Sequence, residues 1–177
     1  MENPRIPPPL LALSAAALQR ILPAGATAGP LRRAAAQTVA TASAVTMIGA
    51  SAQFLVYRTT VDPREPERAS TLVTSGPNVV TRNPMYLGMA GLLAAHAIRR
   101  GRWAAWVPVA AFVMLMDRTQ IPAEERALRE RFGAAYEDYC AAVPRWLDRR
   151  SAARLQEGAV TEVRRPAGEL PGRQDAG

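Results

Sequence analysis

MYLGMAGLLAAHAI (Met85–Ile98) and WAAWVPVAAFVMLM (Trp103–Met116) are two apolar runs separated only by Arg99-Arg100-Gly101-Arg102. Each would reach about 21 Å as a helix at ~1.5 Å per residue, short of the ~30 Å hydrocarbon layer of a bilayer when taken alone. Joined by a four-residue link, they read as a helical hairpin. Trp103 and Trp106 at its turn suit a membrane–water interface. An antiparallel hairpin returns the chain to the side from which it left. The segment before it, Arg82-Asn83-Pro84-Met85-Tyr86, and the acids after it, Glu124-Glu125, are therefore expected to meet in space.

Working outward, Ala34–Tyr57 runs without a charge. As a helix it is long enough to span, and its Ala, Ser, Thr and Gly suit close helix packing better than lipid contact. Pro7–Leu22 reads as a retained, short or tilted first helix rather than a cleaved signal peptide, because Glu2 and three prolines precede its apolar part. Beyond the hairpin, Asp117–Leu147 changes character. Pro122, Glu124 and Glu125 are helix-start signals, and Leu128, Phe132, Tyr136 and Tyr139 recur at helical spacing, with Gly133 a weak point. This reads as a cytosolic amphipathic helix. The fold class expected is all-α: a polytopic membrane protein of about four transmembrane helices with a C-terminal cytosolic helix. The expected divisions are residues 1–57 for the N-terminal helices, 58–150 for the core and 151–177 for a disordered tail, which is polar and rich in Gly and Pro.

Composition removes several functions. The net charge is +7, carried by arginine without a single lysine. No basic helix with interleaved aromatics accompanies it, so nucleic acid is not the expected partner. One cysteine, Cys140, and one histidine, His96, exclude Cys-based metal clusters, His-dependent zinc sites and a Ser-His-Asp triad. No metal is expected, and His96 reads as an interhelical packing or hydrogen-bonding residue. Pro84 keeps Asn83 extended just outside a helix end, where free amide groups and nearby side chains make a polar pocket.

The lead LVTSGPNVVTRNPMYLG (Leu72–Gly88), followed by EERALRERFGAAYEDYCAAVPRW (Glu124–Trp146), resembles the isoprenylcysteine carboxyl methyltransferase and phospholipid methyltransferase superfamily of integral membrane enzymes. The resemblance covers Val56–Leu147. It rests on five elements in order: Leu-Val-Thr-x-Gly-Pro, Arg-Asn-Pro-x-Tyr-x-Gly, the Glu pair, Phe-Gly-x-x-Tyr-x-x-Tyr and a closing Val-Pro-Arg. It implies methyl transfer from S-adenosyl-L-methionine bound on the cytoplasmic side of a bacterial inner membrane. The acceptor would be lipophilic or a lipid. Carboxylate O-methylation of an isoprenylcysteine-like group is most in keeping with the superfamily. N-methylation of a phospholipid or lipophilic amine, and a non-enzymatic membrane assembly role, stand as alternatives.

Carried over, the resemblance assigns cofactor contacts to Ser70, Thr71, Leu72, Val73, Asn78, Asn83, Pro84, Met85, Tyr86 and Glu124, and catalytic roles to Arg82, Arg118 and Glu125. A carboxylate such as Glu124 suits an ammonium or a ribose hydroxyl. An arginine at 82 or 118 suits an acidic group, and Glu125 is the available base for an amine acceptor. Three positions depart from the superfamily pattern. Asn83 replaces a histidine and cannot take up a proton near neutrality, Asn78 replaces an aromatic residue, and Gln120 replaces an arginine.

Overall fold

The computed structural model describes residues 6–56 and 72–163, and among them every regular element is helical. Helix α1 (Pro8–Ile21) and α2 (Pro30–Val56) each open on a proline, whose missing N–H costs nothing in a first turn. Helix α3 (Pro84–Arg100) does the same and stops at Gly101, which adopts φ 64° and returns its N–H to Ala97 O at 3.1 Å. A short 3₁₀ turn (Trp103–Trp106) leads into α4 (Val107–Leu115), completing the expected hairpin.

The chain does not stop at the end of α4. A π-helical turn, Met116–Gln120, joins it directly to α5 (Ile121–Phe132). Pro122 explains the turn. Inside a continuous helix its ring would clash with the carbonyl four residues back, and widening the helix by one residue relieves this. Ile121 N–H accordingly bonds to Met116 O, five residues away. Gly133, at φ 52° and ψ −125°, breaks the next stretch into α5 and α6 (Ala134–Ala142). The single amphipathic helix expected over Asp117–Leu147 is thus a π-turn and two helices, divided at the glycine marked as weak.

Helix α3 is the centre of the bundle. Tyr86, Met89, Leu93 and Ala97 on it join Ala105, Phe112, Met116 and Ile121 in one buried cluster, with Leu11 and Ala15 of α1 and Met47 of α2 packed against it. Ala36, Ser43 and Ala50, seven residues apart on α2, are buried small residues, and Ser43 meets the glycines of α3. A Cβ on Gly88 would overlap the Met47 side chain and lie 3.0 Å from Ser43 O; one on Gly91 would overlap Ser43 Oγ. The close packing read from the Ala, Ser and Gly content is realised here.

At the hairpin-turn end, Gln19 is fully buried and donates to Leu93 O at 3.0 Å and Ala105 O at 2.8 Å. Its carbonyl oxygen meets His96 Nδ1 at 2.9 Å, the interhelical role expected of that histidine.

Two expectations change. Among the described residues no helix is long and apolar enough to cross a membrane. Helix α2 has the length, but its Ala, Ser and Thr dilute its hydropathy; α3 ends in two arginines and α4 is nine residues long. The all-α architecture stands, while four spanning helices are not found as such. The tail expected to lack structure from residue 151 instead carries helix α7 (Arg149–Val163). Its start is capped from both sides. Asp148 Oδ1 accepts the Arg150 N–H at 2.8 Å, and Ser151 Oγ accepts the Asp148 N–H at 3.2 Å while donating to Val80 O at 2.7 Å. Residues 164–177 lie outside the described residues.

Candidate functional site

The approach to α3 is an irregular segment fixed by its own polar groups. Ser75 Oγ donates to Gln53 Oε1 at 2.7 Å, tying the segment to the end of α2. Gly76 takes φ 59° to start the 3₁₀ turn Gly76–Val79. Asn78 is buried in that turn; its side-chain amide reaches Ser75 O at 3.3 Å, and its own carbonyl accepts the Tyr139 hydroxyl at 2.8 Å. Leu72 packs on the second apolar cluster, built from Tyr136, Tyr139 and Val143, and Val73 is buried nearby in sequence. Ser70 and Thr71 lie outside the described residues.

The segment 81–83 is strapped to Pro144-Arg145. Arg82 N–H donates to Pro144 O at 2.9 Å, and Arg145 O accepts both Thr81 Oγ1 at 2.9 Å and Asn83 Nδ2 at 3.0 Å. Asn83 stands at the helix N-cap position with no side-chain cap bond, because its amide is turned to this strap. Pro84 is buried at the first turn, Met85 is half-buried, and Tyr86 points into the core.

The hairpin's return brings Tyr86 to Glu124. The phenol donates to Glu124 Oε1, which also accepts Gln120 Nε2 at 2.9 Å. Gln120 therefore occupies the junction itself, in place of the arginine that the superfamily pattern would put there. Arg118, on the same π-turn, is exposed.

Glu125 faces the other way, into a knot of arginines. It is 5% exposed and accepts Arg145 Nε at 3.0 Å and Nη2 at 2.7 Å, Arg82 Nη1 at 3.0 Å and, more distantly, Arg129 at 3.7 Å. Both Glu125 oxygens are thus engaged by guanidinium groups. Its position is that of a buried counter-ion, a costly arrangement that is tolerable because its hydrogen bonds are made. Arg82 is similarly occupied: besides Glu125 it reaches Tyr136 Oη at 3.3 Å and Cys140 Sγ at 2.6 Å.

Sequence reasoning missed the other half of this knot. Arg145 Nη1 also binds Asp117 Oδ1 at 3.1 Å, and Trp146 Nε1 donates to the same oxygen at 2.9 Å. The indole bond first, and the guanidinium second, hold the Asp117 carboxyl below the usual carboxylate range. Burial pushes the Tyr136 and Tyr139 phenols up, so both remain protonated donors through the neutral range. The Val-Pro-Arg-Trp sequence was the available signal, although nothing in its spacing says that its arginine reaches two carboxylates. Among the described residues no cluster of metal-ligating side chains occurs.

Residues 33–135, more than half the chain, match the sequence model of phospholipid methyltransferases. The chain belongs to the phospholipid methyltransferase family. The matched region of this family member takes in α2, the lead segment, the hairpin, the π-turn and α5, and it stops before the Pro144–Trp146 strap. The chain is also similar to an uncharacterized protein of Haemophilus influenzae, 36% identical over 63 residues, which make up 36% of this chain and all of that protein. No solved structure matches. Family membership implies a methyltransferase, with lipid-type molecules as the class of acceptor.

Proposed function

We propose that the protein transfers a methyl group from S-adenosyl-L-methionine to a lipid-type acceptor at the edge of a membrane. The observation that carries this reading is the junction of Tyr86, Gln120 and Glu124, where the start of α3 meets the start of α5. When bound, the cofactor supplies an electrophilic methyl group on a sulfonium. A carboxylate steadied by a phenol and an amide suits its ammonium group or ribose hydroxyls. Asn78, Asn83, Pro84 and Met85 lie along the chain leading into this junction, with Leu72 and Val73 before them, and form the wall of the proposed cofactor cleft. Because Glu125 and Arg82 are bound to each other, we assign them to the frame of the cleft rather than to proton transfer. Exposed Arg118 is the candidate for an acidic group of the acceptor.

With Glu125 assigned to the frame, the reading favours an acceptor that is already nucleophilic as it arrives. A carboxylate meets this, and an in-line transfer then needs alignment and exclusion of water more than acid–base help. The family match favours a phospholipid amine, which would have to arrive deprotonated.

The outer surface supports the membrane setting. Large apolar side chains stand exposed around the bundle, among them Leu13, Ile21, Leu31, Ile48 and Trp103. Side chains of this kind suit contact with the apolar layer of a membrane. We place the bundle at the bacterial inner membrane with the Tyr86–Glu124 end on the cytoplasmic side, where the cofactor is available.

The test is transfer of labelled methyl from the cofactor into the lipid fraction of proteoliposomes containing the protein. The expected result is label in lipid, released by mild alkali for an ester and retained for an N-methyl product. Absence of transfer to any lipid fraction, including a total extract of bacterial membranes, would remove the enzymatic reading.

A further inference from the structure

We propose that Arg145 is a positioning residue of the methyl-transfer site, holding the Tyr86 and Glu124 sides of the cleft in register through Glu125 and Asp117. The inference rests on the methyl-transfer reading above and assigns a role to a residue outside the family-matched region.

Three segments converge on Arg145, and each carries part of the cleft. Its backbone carbonyl binds Thr81 and Asn83, immediately before Tyr86. Its Nε and Nη2 grip Glu125, the neighbour of Glu124 on α5. Its Nη1 binds Asp117 on the π-turn that also carries Gln120. Trp146 adds a second bond to Asp117 from the adjacent position. The two groups that address Tyr86 therefore sit on elements that the Arg145 guanidinium ties to the strap before α3, alongside the direct Arg82–Glu125 pair. Arginine is the side chain that can do this: its planar fork makes two parallel bonds to one carboxylate and leaves a further donor for another. A lysine would reach one carboxylate as a point charge.

The backbone and side-chain halves of this arrangement separate cleanly in an experiment. Arg145→Gln removes the grip on Glu125 and Asp117 but leaves the carbonyl that binds Thr81 and Asn83. Glu125 keeps Arg82 at 3.0 Å, so no buried charge is stranded. The variant is expected to fold, with its loss appearing at the cleft. Displacement of about an ångström at such a site commonly costs one to two orders of magnitude.

The test is calorimetric titration of detergent-purified full-length protein with S-adenosylhomocysteine, for wild type, Arg145→Gln and Arg145→Lys. For Arg145→Gln the expected result is a Kd raised about tenfold at unchanged stoichiometry. Arg145→Lys should fall between it and wild type. Stoichiometry matters because a purely structural role would reduce the number of competent molecules and leave the Kd of the remainder unchanged. That pattern, or wild-type Kd in both variants, overturns the proposal while leaving the methyl-transfer reading intact. If Arg145→Gln fails to fold, Arg145→Lys alone decides by the same criterion. Absence of binding to wild type instead counts against the methyl-transfer reading itself, and the positioning role falls with it.

Discussion

Glu124→Gln is expected to weaken cofactor binding by about 30- to 150-fold, corresponding to about 2–3 kcal/mol for a hydrogen bond that loses its charge in a sheltered site. The glutamine amide retains the shape of the side chain, and its oxygen can still accept from Tyr86 and Gln120, the two donors that meet Glu124 Oε1. Thermal stability should therefore stay close to wild type, so the loss would belong to the site and not to the fold. Isothermal titration with the cofactor or its demethylated product, beside a melting curve, reads both quantities. An unchanged affinity would show that the carboxylate faces something other than the cofactor.

Gly88→Leu is expected to give the largest loss of stability, about 3 kcal/mol or a fall in Tm of about 6–12 °C. The α2–α3 seam has no room at this position. Even a Cβ overlaps Met47, and the Ser43 carbonyl beside it is backbone that cannot turn away. Gly88→Ala sets the contrast. Alanine improves helix propensity by about 1 kcal/mol, but its Cβ meets the same Met47 Cγ and Ser43 carbonyl, so it is expected to destabilise, by less than leucine. Differential scanning of the two variants in detergent separates close helix packing from propensity. Equal, small shifts in both would mean that the seam is looser than the geometry describes.

Sequence periodicity and punctuation revealed the hairpin because its signals are local: two apolar runs, an Arg-Arg-Gly-Arg link and a proline at each helix start. The meeting of Tyr86 with Glu124 was also legible, since an antiparallel return requires it whatever the packing details. What periodicity cannot show is which way a polar side chain turns once it arrives. Glu124 and Glu125 are adjacent and chemically alike, yet one faces Tyr86 and the other is buried among three arginines. Successive helix positions diverge by about 100°, so the split follows from helical geometry; which face meets Tyr86 is decided by the π-turn. That turn was illegible because Pro122 reads equally well as a helix start.

The same limit hid Arg145. It lies more than 60 residues from Thr81 and Asn83, and its partners belong to segments that only the complete bundle brings together. Asn83 shows the reverse case. It was chosen as a cofactor contact because of where it stands in the Arg-Asn-Pro sequence, but its amide nitrogen is already bonded to the strap. Its contribution to the cleft would come from holding the chain in place.

The central claim is that one bound cofactor touches both the Tyr86 turn and the Glu124 helix. A photoactivatable S-adenosylmethionine analogue, crosslinked to the protein and mapped by mass spectrometry, tests it most directly. Crosslinks shared between peptides within 72–90 and 117–128, and suppressed by excess unlabelled cofactor, are the predicted result. Competed crosslinks confined to other parts of the chain would contradict it.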